Sequence, residues 1–147
     1  MGKHGAKKKT RFVGIPYHIA ASPQFASLNA AETKLLIDLL VQYGGFNNGK
    51  LSPTIALLKK RGWAASSLHK AFKGLKEKGF LVVTRQGRKL RGYPTLVAIT
   101  WLSIDECKVE YDEGIKPGKV ALNLWRKPEY SKVKPACVIA PLAIAKK

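Results

Sequence analysis

Apolar residues recur at helical spacing most clearly in the stretch after residue 29. Ala31, Leu35, Leu36, Leu39, Leu40 and Tyr43 fall on one face of a helix. Asn29-Ala30-Ala31-Glu32 offers a capping box at its start, and Gly44-Gly45 a stop at its end. Upstream, Ser22-Pro23 predicts a short helix that ends near Leu28, and Pro-interrupted Arg11–Ile19 predicts an edge strand or extended strap. Downstream, Asn47-Asn48-Gly49 is turn chemistry and Lys50-Leu51 a very short strand. Ser52-Pro53 then predicts a second cap-plus-proline start, for a helix carrying Ile55, Leu57 and Leu58 and ending by Arg61-Gly62. A tight turn leads to a third helix, capped by Ser66 or Ser67, with Leu68, Ala71, Phe72 and Leu75 as its buried stripe and Gly79 as its end. Period-two alternation then takes over. Phe80–Arg85 and Thr95–Trp101 read as strands joined by a loop with Gly87, Gly92 and Pro94. Leu96, Ala98 and Thr100 share one face of the return strand; Val97, Ile99 and Trp101 share the other.

Charge changes the picture. Among 147 residues, 27 Lys and Arg face 9 Asp and Glu, a net +18. Residues 50–91 hold twelve of the cations and one acid, so the excess sits on the predicted helices and hairpin. Such a bias predicts a polyanionic partner, nucleic acid before an anionic membrane surface. Residues 1–10 add basic charge without apolar periodicity and read as a mobile arm. Neither the Pro-broken FVGIPYHIAASP nor ACVIAPLAIA is long and apolar enough to be a targeting or spanning segment.

Helix, short strand, helix, tight turn, helix and basic-tipped hairpin is the order of an α+β winged helix-turn-helix domain with a two-stranded wing. In that arrangement the third helix enters the DNA major groove and the hairpin lies over adjacent phosphates or the minor groove. The predicted organisation is a basic arm and strap over residues 1–21, the winged domain over 22–104 and a C-terminal extension over 105–147. KKRGW followed by a helix, then KGFLVVTRQG and LVAITW, resembles winged-helix DNA-binding proteins. RFVGIPYHIAASPQFASL and YGGFNNGKLS narrow the resemblance to small winged-helix proteins of bacterial plasmids and prophages, over residues 11–105. The resemblance implies that Ser66, Ser67, Lys70 and Lys73 occupy recognition-helix positions and that Arg85–Arg91 form the wing. Gly74 departs from the pattern, since a helix former is common there; it points to close packing at a cost of about 1 kcal/mol.

The DNA-facing set is therefore Arg61, Ser66, Ser67, His69, Lys70, Lys73, Arg85, Arg88, Lys89 and Arg91, with Lys7, Lys8, Lys9 and Arg11 as an auxiliary arm. Plainer readings stand beside it. Lys59, Lys60 and Arg61 also suit a solvated helix end that favours the local dipole. Trp63 reads as a core plug and His69 as a surface residue. Asp105, Glu106, Glu110, Asp112 and Glu113 read as a solvated acidic linker. Cys107 and Cys137 are too few for a disulfide framework, and with His4, His18 and His69 they form no metal-ligand spacing. No phosphate-binding glycine loop is present. The expectation is a non-enzymatic, cofactor-free, cytoplasmic, nucleoid-associated protein that binds double-stranded DNA sequence-specifically and regulates transcription on a mobile element. A homodimer is expected, through the strap (Phe12, Val13, Ile15, Tyr17) or the apolar end (Val138, Ile139, Leu142, Ile144), and no membrane partner. The alternatives are a plasmid or phage replication initiator or accessory, and an adaptor that binds protein or RNA.

Overall fold

Five α-helices and one antiparallel hairpin build the described residues, 10–127, of the computed structural model, an α+β arrangement. The helices are α1 (Tyr17–Ala20), α2 (Pro23–Ala26), α3 (Ala30–Gln42), α4 (Ile55–Leu58) and α5 (Ala65–Glu77); the strands are β1 (Leu81–Arg85) and β2 (Leu96–Ile99). A short 3-10 turn over Lys59–Arg61 continues α4, and another covers Leu124–Arg126.

The N-terminal capping signals for α2 and α3 are realised. Ser22 Oγ accepts from the Phe25 N–H at 3.2 Å ahead of Pro23. Asn29 Oδ1 accepts from the Glu32 N–H at 2.8 Å, and Glu32 Oε2 accepts from the Asn29 N–H at 3.1 Å, which closes the capping box of α3. At the other end, Asn47 takes over the termination expected of the glycines. Its Nδ2 donates to Gln42 O at 2.9 Å and its Oδ1 accepts from the Gly44 N–H at 2.7 Å. The strap differs from expectation. Residues 10–16 have no regular structure, and Tyr17–Ala20 forms one helical turn that Pro16 starts with its fixed φ of −56° and that drives Ile19 into the core.

In the hairpin, Leu81 lies opposite Ile99, Val82 opposite Ala98, Val83 opposite Val97 and Arg85 opposite Leu96, so Thr84 is the extra residue of a bulge. Thr84 Oγ1 donates to Gly49 O at 2.6 Å. Leu51 bridges Val97 from the other side, which makes β2 central and accounts for its burial on both faces. The alternation holds: Val97, Ile99 and Trp101 join the main core with Leu35, Leu39 and Leu75, whereas Leu96 and Ala98 are buried outside it. Asn48, fully buried, continues the sheet. Its Oδ1 accepts from the Ile99 N–H at 2.8 Å, and its Nδ2 donates to Ile99 O at 3.0 Å and Ser103 O at 2.9 Å.

Of the acidic stretch expected as a solvated linker, Glu106, Glu110 and Glu113 are exposed, but Asp105 and Asp112 are tied down. Asp105 Oδ2 accepts from the Asn48 N–H at 2.8 Å, and Asp112 Oδ2 accepts from the Gln86 N–H at 2.6 Å. The Asp112 N–H donates to Thr84 O at 2.8 Å, so the chain covers the end of β1, where an open edge would leave backbone groups unpaired. Farther on, Trp125 stacks on Phe80 with centroids 6.1 Å apart, and Phe25 and Trp101 meet the same ring edge-on. Gly79, at φ 78°, lets the Leu124–Trp125 backbone come this close, because a Cβ there would meet it at 2.8 Å. The apolar segment with Val138, Ile139, Leu142 and Ile144 lies outside the described residues, as does Cys137.

The close packing expected at Gly74 is present, and its partner is the capping box. The buried Glu32 side chain sits over Gly74, in contact with where a Cβ would be, and its Oε2 accepts from Lys78 Nζ at 2.6 Å. Glycine therefore lets α5 approach the start of α3. Gly74→Ala should destabilise the protein by about 1–2 kcal/mol, overpacking outweighing the gain in helix propensity of about 1 kcal/mol. In a Glu32→Ala background the same substitution should become stabilising. Urea unfolding of the two single variants and the double variant checks the reversal of sign; the same sign in both backgrounds would remove Glu32 as the cause.

Candidate nucleic-acid interface

The segment from α4 to α5 is short, and its path is set by two features. Gly62 takes the left-handed conformation, φ 86°, that ends the 3-10 turn. Trp63 then turns inward, 7% exposed, as the core plug expected from sequence. Asp38 on α3 holds the residues on either side of Gly62. Its Oδ2 accepts from Trp63 Nε1 at 2.7 Å and Lys34 Nζ at 3.0 Å, and its Oδ1 accepts from Arg61 Nε at 2.6 Å. Lys34 Nζ also donates to Arg61 O at 2.9 Å and lies 4.7 Å from the centre of the Trp63 ring. Burial pushes the Asp38 carboxyl up. The hydrogen bonds from Trp63, Arg61 and Lys34, with the Lys34 charge, outweigh that and hold it below the usual carboxylate range.

Two expected caps are corrected here. Ser52 does not cap α4, because the helix starts three residues on, at Ile55, and Gln42 fixes Ser52 by its backbone: Oε1 accepts from the Ser52 N–H and Nε2 donates to Ser52 O. Thr54 is the N-cap and makes no side-chain cap. Ser66 and Ser67 do not cap α5 either. The helix starts at Ala65 with Ala64 as N-cap, since the fixed Trp63 leaves only one residue before the first turn. Both serines thus stand inside the first turn with their side chains exposed.

The buried stripe of α5 is Leu68, Ala71 and Leu75, with Phe72 half-buried. Ser66, Ser67, His69, Lys70 and Lys73 are all exposed. Lys76 extends the row formed by His69 and Lys73, a position readable in the sequence from the i, i+4, i+7 spacing and absent from the expected set. His69, Lys73 and Lys76 line a groove of about 600 Å³ with Ile55 of α4 and with Gln86 and Thr95 at the two ends of the hairpin loop. The structure therefore brings the exposed row of α5 and the base of the hairpin loop together.

The hairpin cations divide. Arg88, Lys89 and Arg91 are exposed at the tip, which closes through the Arg88 N–H to Tyr93 O at 3.0 Å. Arg85 is inside, 9% exposed, with its guanidinium 4.2 Å from the centre of the Tyr93 ring and Nη2 donating to Pro94 O at 3.2 Å. Arg61 is half-exposed but committed to Asp38. Lys59 and Lys60 are exposed beside it. Arg11 is exposed in a separate groove with Phe12, Val13 and Leu40, at the far end of α3. Lys7, Lys8 and Lys9 lie outside the described residues.

Among the described residues no helix is long and apolar enough to cross a membrane, and no group of three His, Cys, Asp or Glu is placed to hold a metal ion. No family model, curated protein or solved structure matches the chain.

The lowered pKa of Asp38 carries a stability prediction. A carboxyl with a depressed folded-state pKa contributes stability above its unfolded value, near 3.8, and loses it as pH falls through the folded one. Asp38→Asn should therefore cost about 1.5–3 kcal/mol near neutral pH, and the gap from wild type should close as the pH is lowered below about 3.8. Thermal melts of both proteins across that range check it; a gap independent of pH would mean that the carboxylate charge is not what holds the turn.

Proposed function

We propose that the chain is a winged helix-turn-helix protein that binds double-stranded DNA, with α5 reading the major groove and the hairpin as the wing. The observation that carries this reading is the exposed row of Ser66, His69, Lys70 and Lys73 on a helix fixed by its buried neighbours, adjoining a hairpin whose tip presents Arg88, Lys89 and Arg91. A folded platform of this kind suits groove recognition better than a basic tail, because a helix fits the major groove and carries its side chains at fixed spacing. The first-turn N–H groups of α5 have no side-chain cap, and a backbone phosphate satisfies such donors.

Within this reading the roles separate. Ser66, Ser67, Lys70 and Lys73 read base edges. Arg88, Lys89 and Arg91 clamp phosphates or enter the minor groove. Arg61 acts by holding the turn more than by touching DNA, and Arg85 serves the inside of the wing. The biological role that fits is a sequence-specific transcriptional regulator of a mobile element, with a homodimer matching a symmetric operator.

Binding to duplex DNA should weaken steeply with salt, by a slope of about 0.9 in log K per log salt for each phosphate contacted. A slope near zero would sink the reading. Lys70→Ala should cost roughly 1–3 kcal/mol on the preferred site and relax its sequence. Arg88→Ala with Lys89→Ala should instead weaken all duplexes alike and flatten the salt slope. Binding to a randomised duplex library, followed by titration at two salt concentrations, separates these effects. A change of preferred sequence from the hairpin pair alone would reverse the assigned roles.

A further inference from the structure

A second groove, of about 660 Å³, runs between the hairpin and α4 and shares only Arg88 with the residues proposed to contact DNA. Three cations line it: Lys50, Arg85 and Arg88; none of the described residues lining it is acidic. Arg85 is the unusual member. It is nine-tenths buried, and its Nε is enclosed with no acceptor among the described residues. Arg88 brings a second guanidinium to within 5.2 Å of the Tyr93 ring that Arg85 already covers. Burying a guanidinium with an unmet donor, beside two like charges, is unfavourable until an anion compensates it.

Apart from Ser52, Thr54 and Tyr93, the rest of the groove is apolar. Leu57 on α4 and Leu90 at the hairpin tip are 56% and 65% exposed along its walls, and Leu96 and Val109 also line it. Its volume is in the range of small-molecule sites, about 300–1,000 Å³. We propose that this groove binds a small amphipathic anion, with a carboxylate or phosphate head between Arg85, Arg88 and Lys50 and an apolar body between Leu57 and Leu90. Because Arg85 and Leu90 belong to the hairpin and Leu57 to α4, the occupant ties the hairpin to the helical body and fixes its angle. Binding requires no DNA, so the site stands or falls apart from the DNA reading.

The test is an amide NMR titration of the full chain without DNA, using anilinonaphthalene sulfonate as the amphipathic anion and inorganic phosphate in a second arm. Saturable shifts should cluster at Ser52, Leu57 and Tyr93, and phosphate alone should bind at least about tenfold more weakly, having no apolar body to bury. Arg85→Gln should weaken the probe about tenfold or more through loss of a charged hydrogen bond. Leu57→Glu, at an exposed position, should do the same by setting a like charge against the anion, and it decides the matter if Arg85→Gln does not fold. Shifts centred on Lys70 and Lys73, or an unchanged affinity in Leu57→Glu, would overturn the proposal. So would phosphate binding as tight as the probe, which would make the groove a seat for a bare backbone phosphate.

Discussion

Asp38 brings a negative charge into the junction of α3 and the turn that launches α5, and the direction of α5 depends on how that charge is satisfied. A buried carboxylate is tolerated only when its lone pairs meet donors. Here the donors come from three points: Lys34 one turn earlier on the same helix, Arg61 at the end of the 3-10 turn and the indole of Trp63. The last two flank Gly62, so the residue with the greatest backbone freedom is pinned on both sides. Only Ala64 separates Trp63 from the first residue of α5. The start of the helix inherits the position of the indole.

A second carboxylate does the same at the other end of α5. Glu32 caps α3, lies over Gly74 and receives Lys78 just beyond the last turn. The residues flanking the two ends of α5 are thus referred to one helix, α3, by charged contacts whose geometry is more specific than apolar packing. The buried stripe of Leu68, Ala71 and Leu75 fills the space between them. A helix held in this way presents its opposite face at a fixed angle, the property that rigid display of Lys70 and Lys73 requires.

Much of this was legible in the sequence, and the misses share a physical cause. The stripes of α3 and α5, the capping box, the hairpin and the close contact at Gly74 follow from local chemistry, which a sequence carries directly. Asp38 was not legible, because it sits among leucines on α3 and its partners Arg61 and Trp63 are 23 and 25 residues away. Ser66 and Ser67 were misassigned as caps because cap preference is local, whereas the start of α5 is fixed by a tertiary contact of Trp63. Arg85 looked like its wing neighbours, yet it lies in β1 just after the Thr84 bulge, which re-aims side chains. Asp105 and Asp112 looked as solvated as the exposed Glu106, Glu110 and Glu113 because composition does not reveal that the Asn48 and Gln86 N–H groups donate to them.

These assignments also explain where the positive charge ends up. Four of the described carboxylates, Glu32, Asp38, Asp105 and Asp112, are engaged in holding the fold together. Glu32 and Asp38 neutralise Lys34, Arg61 and Lys78, cations that fix helices, whereas Lys70, Lys73, Lys89 and Arg91 are exposed. Four of the nine acids in the chain are thus spent on backbone N–H groups and on the cations that set helix geometry, and Glu77 is the one acid among the twelve cations of residues 50–91, so the excess charge collects on α5 and the hairpin. A basic surface built this way rests on a rigid base, and its charge complements the polyanionic partner proposed above.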